Sequence, residues 1–136
     1  MAEFRNFSIY YVVPDPAILK VGDYFRVVCK LEHQGEFYTT AKIYAAIGTR
    51  GVGFNEILAS QVTISVGPNA TWWGYVTGLY ILITSAIAPG TNYDLYAKLI
   101  NIPGADLYSY KDNIITIAAP VEPTFQNFAI GEYIKV

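Results

Sequence analysis

The sequence predicts an all-β protein, an antiparallel β-sandwich of about seven strands, on three observations. Helix-period apolar patterns are hard to find along its 136 residues. Short runs rich in Val, Ile, Tyr, Phe and Thr recur instead, as half-buried strands require. Gly, Pro, Asn or Asp closes each run, and these residues turn the chain or end a ladder.

The elements follow in order. Phe4 to Val12 is the first strand, and Pro14-Asp15-Pro16 ends it, because two fixed φ angles and two missing donors stop any ladder. Val21-Gly22-Asp23 turns the chain into Tyr24 to Glu32, where alternation places Val27, Cys29 and Leu31 on one face. Ala41 to Ile47 follows, then the flexible connection Gly48 to Gly53, which lacks the Lys-Ser/Thr ending of a phosphate-binding loop. Ile57 to Ser65 leads through Gly67-Pro68-Asn69 to Thr71 to Ile83. The apolar stretch Leu79 to Ala88 is far shorter than the ~20 residues of a membrane-spanning helix and reads as a buried strand. Pro89-Gly90-Thr91-Asn92 introduces Tyr93 to Ile100, and Pro103-Gly104-Ala105-Asp106 precedes the last strand, Asn113 to Ala118.

Composition narrows the function. Apolar residues and Tyr make up 53%, enough for one adequate core and against disorder. Charged residues are only 15%, and the net charge of -2 leaves no excess of Lys or Arg for a phosphate backbone, so nucleic acid is excluded as an expected partner. A polar surface built from Tyr, Thr, Ser, Asn and Gln favours contact with neighbours. Glu3, Arg5 and Asn6 occupy the place of a signal peptide's apolar core, so the chain either is not exported by that route or begins inside a longer one.

No catalytic constellation emerges, and the expectation is a protein that is not an enzyme and has no cofactor. The single histidine, His33, lies where a strand runs towards Gly35 and reads as a solvated loop residue without an orienting partner. One Cys and one His cannot assemble a structural zinc site, and Cys29 reads as an inert core thiol. Glu32, Glu36, Asp94, Asp106 and Asp112 form no calcium-loop pattern, so no metal ligand is assigned. Trp72-Trp73 is the most informative local feature: neighbours on a strand point to opposite faces, so one indole enters the core and the other faces outward. With Tyr75 and Tyr80 it forms an aromatic platform for a partner or for sugar rings.

Phe4-Arg5-Asn6-Phe7-Ser8-Ile9 is echoed by Phe125-Gln126-Asn127-Phe128-Ala129-Ile130, both reading F-x-N-F-small-I. The second copy follows Pro120-Val121-Glu122-Pro123-Thr124, a linker-like segment. The expected organisation is a domain over residues 1–119, then over 120–136 a linker and a strand resembling the start of a following repeat. Phe125, Phe128, Ile130 and Ile134 would make that strand pair with a sheet edge.

Leu19-Lys20-Val21-Gly22-Asp23, the strand after it, and His33-Gln34-Gly35-Glu36 resemble the entry to CARDB-type immunoglobulin-like domains. Tyr93 to Leu99 resembles their penultimate strand, and Lys111-Asp112-Asn113 their acidic, Asn-rich turn. The resemblance implies an immunoglobulin-like sandwich that carries no catalytic residues and occurs as a repeated surface module. The functional expectation is therefore a structural or adhesion-type module, one repeat of a larger surface or virion protein. It would mediate spacing or association with protein partners or copies of itself, without membrane insertion. The alternative is a carbohydrate-binding module that takes glycans on the exposed Trp and Tyr side chains.

Overall fold

A computed structural model describes residues 4–34, 39–66 and 72–119, with the backbone alone at 72–74. The chain is all-β, with eight strands: β1 (Phe4–Val13), β2 (Ala17–Leu19), β3 (Tyr24–His33), β4 (Thr39–Arg50), β5 (Phe54–Val66), β6 (Trp72–Leu82), β7 (Gly90–Ile100) and β8 (Leu107–Ile117). They form two sheets, one of three strands in the order β1-β3-β6 and one of five in the order β2-β8-β7-β4-β5. Pairing is antiparallel except for β2, which runs parallel to β8.

One apolar core lies between the sheets. Phe25, Val27, Cys29 and Leu31 of β3 alternate into it with Leu79 and Ile81 of β6, and meet Ile43, Ala45 and Ile47 of β4 and Leu95, Ala97 and Leu99 of β7. Strict period-2 alternation aims these side chains at a shared interior, and the apolar area they remove from water holds the sheets together. The sheets also meet at their margins, β1 against β8 and β5 against β6. At the first seam the Ile9 N–H donates to Ser109 Oγ (3.0 Å).

Several boundaries differ from expectation, each for a local reason. The expected seven strands are eight, because β2 forms directly after Pro16 and is too short for periodicity to reveal. Gly48, Thr49 and Arg50 extend β4, leaving Gly51–Gly53 as the turn of a tight hairpin. The Leu79 to Ala88 stretch is not one buried strand: β6 stops at Leu82, and Ile83 and Ile87 are buried from a loop. The last strand starts at Leu107, because Asp112 and Asn113 make a bulge in β8 and no chain-ending turn. His33 is fully buried at the end of β3, its ring 4.6 Å from that of Phe4, so it is not a solvated loop residue.

The Val21-Gly22-Asp23 turn is as expected. Gly22 adopts φ 100, a conformation L side chains rarely take, and the Lys20 N–H donates to the Asp23 carboxylate (3.0 Å). No helix among the described residues is long and apolar enough to cross a membrane. The expected linker and strand at 120–136, with Phe125, Phe128, Ile130 and Ile134, lie outside the described residues.

Candidate functional site

The outer face of the three-stranded sheet is built around one residue of its central strand. Opposite Val28, β6 carries two residues, Thr77 and Gly78, between the pairs Val27↔Leu79 and Cys29↔Val76. On the other side, β1 inserts Tyr10 between Ile9↔Cys29 and Tyr11↔Val28. Bulges on both neighbours thus flank the same position. Their effect is on side-chain direction. Residues 75 and 80 are an odd number apart and would face opposite ways on a regular strand, yet both stand exposed on the outer face. Tyr10 and Tyr11, adjacent in sequence, are likewise both exposed.

Two aromatic groups result. In the first, Tyr10 lies 4.7 Å from Tyr75 and 5.4 Å from Tyr11, ring centre to ring centre. In the second, Tyr24 meets Tyr80 edge-on at 6.4 Å, and the Arg26 guanidinium lies 5.7 Å from the Tyr80 ring. The Arg26 Nε–H donates to the Thr77 carbonyl (2.8 Å), an oxygen that the bulge takes out of regular pairing. Tyr80 is opposite Arg26 and Tyr75 opposite Lys30, so the two groups are spaced by four residues of β3, roughly 14 Å.

Charge on this face is local and positive. Arg5, Arg26 and Lys30 share it with one described carboxylate, Glu32, which Arg5 engages at 3.1 Å. A hydrogen bond from the Asn6 side chain, with Arg5 beside it, holds the Glu32 carboxyl below the ordinary carboxylate range. Arg26 and Lys30 have no ion-pair partner among the described residues.

The outer face of the five-stranded sheet is also aromatic but satisfies itself. Both Tyr44 and Tyr96 donate their hydroxyls to the Glu56 carboxylate. The bond to Glu56 pushes the Tyr44 phenol up to about 12, and burial followed by Glu56 raises Tyr96 as well. Lys98 sits 4.9 Å from the Tyr44 ring, while Arg50 lies 3.8 Å from the Tyr110 ring and pairs with Asp112 at 3.0 Å. Asp94, nearly buried, accepts from the Arg50 and Asn113 backbone N–H groups, both at 2.7 Å. Glu56, Asp94, Asp112, Arg50, Tyr44 and Tyr96 thus already have polar partners, whereas Arg26 and Lys30 on the first face make no ion pair among the described residues.

Of the residues singled out from sequence, Tyr75 and Tyr80 are placed on this platform. The backbone registers Trp72 opposite His33 and Trp73 opposite Glu32, while the expectation of one inward and one outward indole concerns side chains outside the described residues. Tyr10, Tyr11, Tyr24, Arg26 and Lys30 were not singled out; the Tyr10-Tyr11 pair beside a breaker was the available signal. Burial pushes the Cys29 thiol up to about 12, consistent with an inert core thiol. No group of three or more His, Cys, Asp or Glu among the described residues is placed to hold a metal.

No family model and no curated protein matches the chain. Among solved structures, Pseudomonas fluorescens alkylpurine DNA glycosylase AlkC bound to DNA containing an abasic site analog is similar over 87% of this chain and 30% of that one, with TM-score 0.45 and 14% identity. The chain thus spans 30% of that protein's length. That neighbour is bound to DNA, a finding that runs against the expected spacer or adhesion-type module, its glycan alternative and the exclusion of nucleic acid. The exclusion failed for a physical reason: a net charge of -2 averages over the whole chain, whereas a ligand meets one face. A likeness of this degree assigns neither substrate nor partner to this chain, and the function is argued from the platform itself.

Proposed function

We propose that the chain is a non-enzymatic binding module that takes single-stranded nucleic acid across the outer face of its three-stranded sheet. The observation that carries this reading is the concurrence, on one open face, of five exposed tyrosines with two cations, Arg26 and Lys30, that make no ion pair among the described residues. Every base has a π-face, so ring platforms stack bases regardless of identity, while Arg and Lys track the backbone. Duplex DNA buries its base faces in its own stack and offers these rings nothing to stack on. Arg26, held at the Thr77 carbonyl and over Tyr80, is positioned beside a stacked base without further ordering.

We further read the architecture as an immunoglobulin-like sandwich of the CARDB type; two sheets around one core and the Val21-Gly22-Asp23 turn support that reading. The division into a domain over 1–119 and a repeat-like start over 120–136 rests on the F-x-N-F-small-I echo.

The test is fluorescence anisotropy of a labelled oligothymidine, with duplex DNA as competitor and salt varied. Binding that weakens with salt, and falls about tenfold for Tyr75→Ala and for Tyr80→Ala, is the expected result. Binding indifferent to both substitutions in folded variants, or no binding of single strands, sinks the proposal.

A further inference from the structure

A small cleft opens where β1 of one sheet meets β8 of the other, at the margin of the platform. It has a volume of about 170 Å³ and is lined by Tyr10, Tyr11, Asp15, Ala17, Lys111 and Ile114, with Val12 at its base. That volume lies below the ~300–1,000 Å³ of sites for drug-sized ligands and suits one small planar group. Tyr10 belongs to both cleft and platform, since its ring is 4.7 Å from Tyr75. A strand lying on the platform would therefore pass the mouth of the cleft.

The polar lining is specific. Asp15 and Lys111 border the same cleft, and neither has an ion-pair or hydrogen-bond partner for its side chain among the described residues. Asp15 stands between Pro14 and Pro16, whose rings restrict the backbone that carries it. A carboxylate offers two acceptor oxygens side by side, and an ammonium offers only donors. Guanine alone among the bases presents two adjacent donors, N1–H and the N2 amino group, beside an acceptor, O6, on its Watson–Crick edge. Adenine and cytosine offer a single donor group there, and thymine one N–H between two carbonyls.

Resting on the platform reading, we propose that this cleft takes one unstacked guanine from the bound strand. Its Watson–Crick edge meets Asp15 and Lys111, and its face lies against Tyr10 or Tyr11, the manner in which single-stranded bases are read elsewhere. The module then binds single strands generally and prefers those that carry guanine.

The experiment compares anisotropy titrations of labelled oligothymidines carrying one central guanine, inosine, adenine or cytosine. The guanine strand should bind about tenfold more tightly than the adenine or cytosine strands, and inosine, which lacks the N2 amino group, should lose most of that gain. Asp15→Asn should abolish the preference and leave affinity for plain oligothymidine unchanged, and Lys111→Ala should reduce it. Equal affinity for all four strands, or a preference that survives Asp15→Asn, overturns the cleft while leaving the platform standing. Failure of every strand to bind overturns both.

Discussion

Tyr10 and Tyr75 stand on strands that are not neighbours, and their rings meet 4.7 Å apart across the outer side of β3. Val28 of β3 is fully buried yet lies outside the core cluster, as expected of a residue whose cover comes from this outer face. The hydroxyl of Tyr10 beside it raises the Tyr75 phenol above its ordinary 10.0. Tyr10→Phe removes that hydroxyl and should bring Tyr75 back towards 10.0, read by phenolate absorbance against a Tyr75→Phe control. An unmoved titration would show that the two hydroxyls do not interact.

Asp94 ties β7 to two other strands through the backbone N–H groups of Arg50 and Asn113. Asp94→Ala leaves both donors without that partner in a nearly buried place and should lower stability by about 2 kcal/mol. Asp94→Asn, which keeps one good acceptor, should fall between it and the parent. Urea unfolding midpoints decide, and equal midpoints for Asp94→Ala and the parent would refute the role.

Gly48 and Gly78 make a matched pair of tests. A Cβ at Gly48 would lie 1.9 Å from the Asn55 carbonyl oxygen, so Gly48→Ala must force the β4–β5 hairpin apart, at about 1–3 kcal/mol. At Gly78 nothing lies within 4 Å and φ is not positive, so Gly78→Ala should change stability by less than about 1 kcal/mol. Thermal unfolding of the two variants side by side checks the contrast; a larger loss at Gly78 would mean that the β6 bulge needs glycine.

Burial raises the Cys29 thiol from 9.0 to about 12. The folded state therefore favours the protonated form, a contribution fully present below pH 9 and lost as pH rises towards about 12. Tyr44, raised from 10.0 to about 12 by its bond to Glu56, acts in the same direction over the upper part of that window. Urea midpoints should decline with alkaline pH, and less steeply in Cys29→Ala and in Tyr44→Phe. A thiol reagent should leave the native protein unlabelled at neutral pH and label it in urea; labelling of the native protein would contradict the burial of Cys29.

Much of the strand layout was legible in the sequence. Val27, Cys29 and Leu31 fall on one buried face because strict alternation needs no tertiary information to state. Tyr75 and Tyr80 stand out for their density of aromatic side chains, though the sequence has them on opposite faces of a regular strand. The burial of His33 was hidden, because its neighbours Gln34 and Gly35 look like a turn whether or not a Phe4 ring packs against it. The bulge in β8 was hidden behind Asp112 and Asn113, residues equally at home in a turn; only the Asp94 carboxylate opposite distinguishes the two cases.

The sequence by itself determined the all-β class, the apolar identity of the interior and the presence of connections at Gly22, within Gly48 to Gly53 and at Gly104. Those features depend on neighbours along the chain, through φ preferences and the period of two. Only the tertiary structure decided that β1 and β6 flank β3, that both bulge beside Val28, and that five tyrosines and two cations without an ion pair among the described residues therefore share one face. Register is set by residues far apart in sequence, and one extra residue on a strand reverses every side chain beyond it.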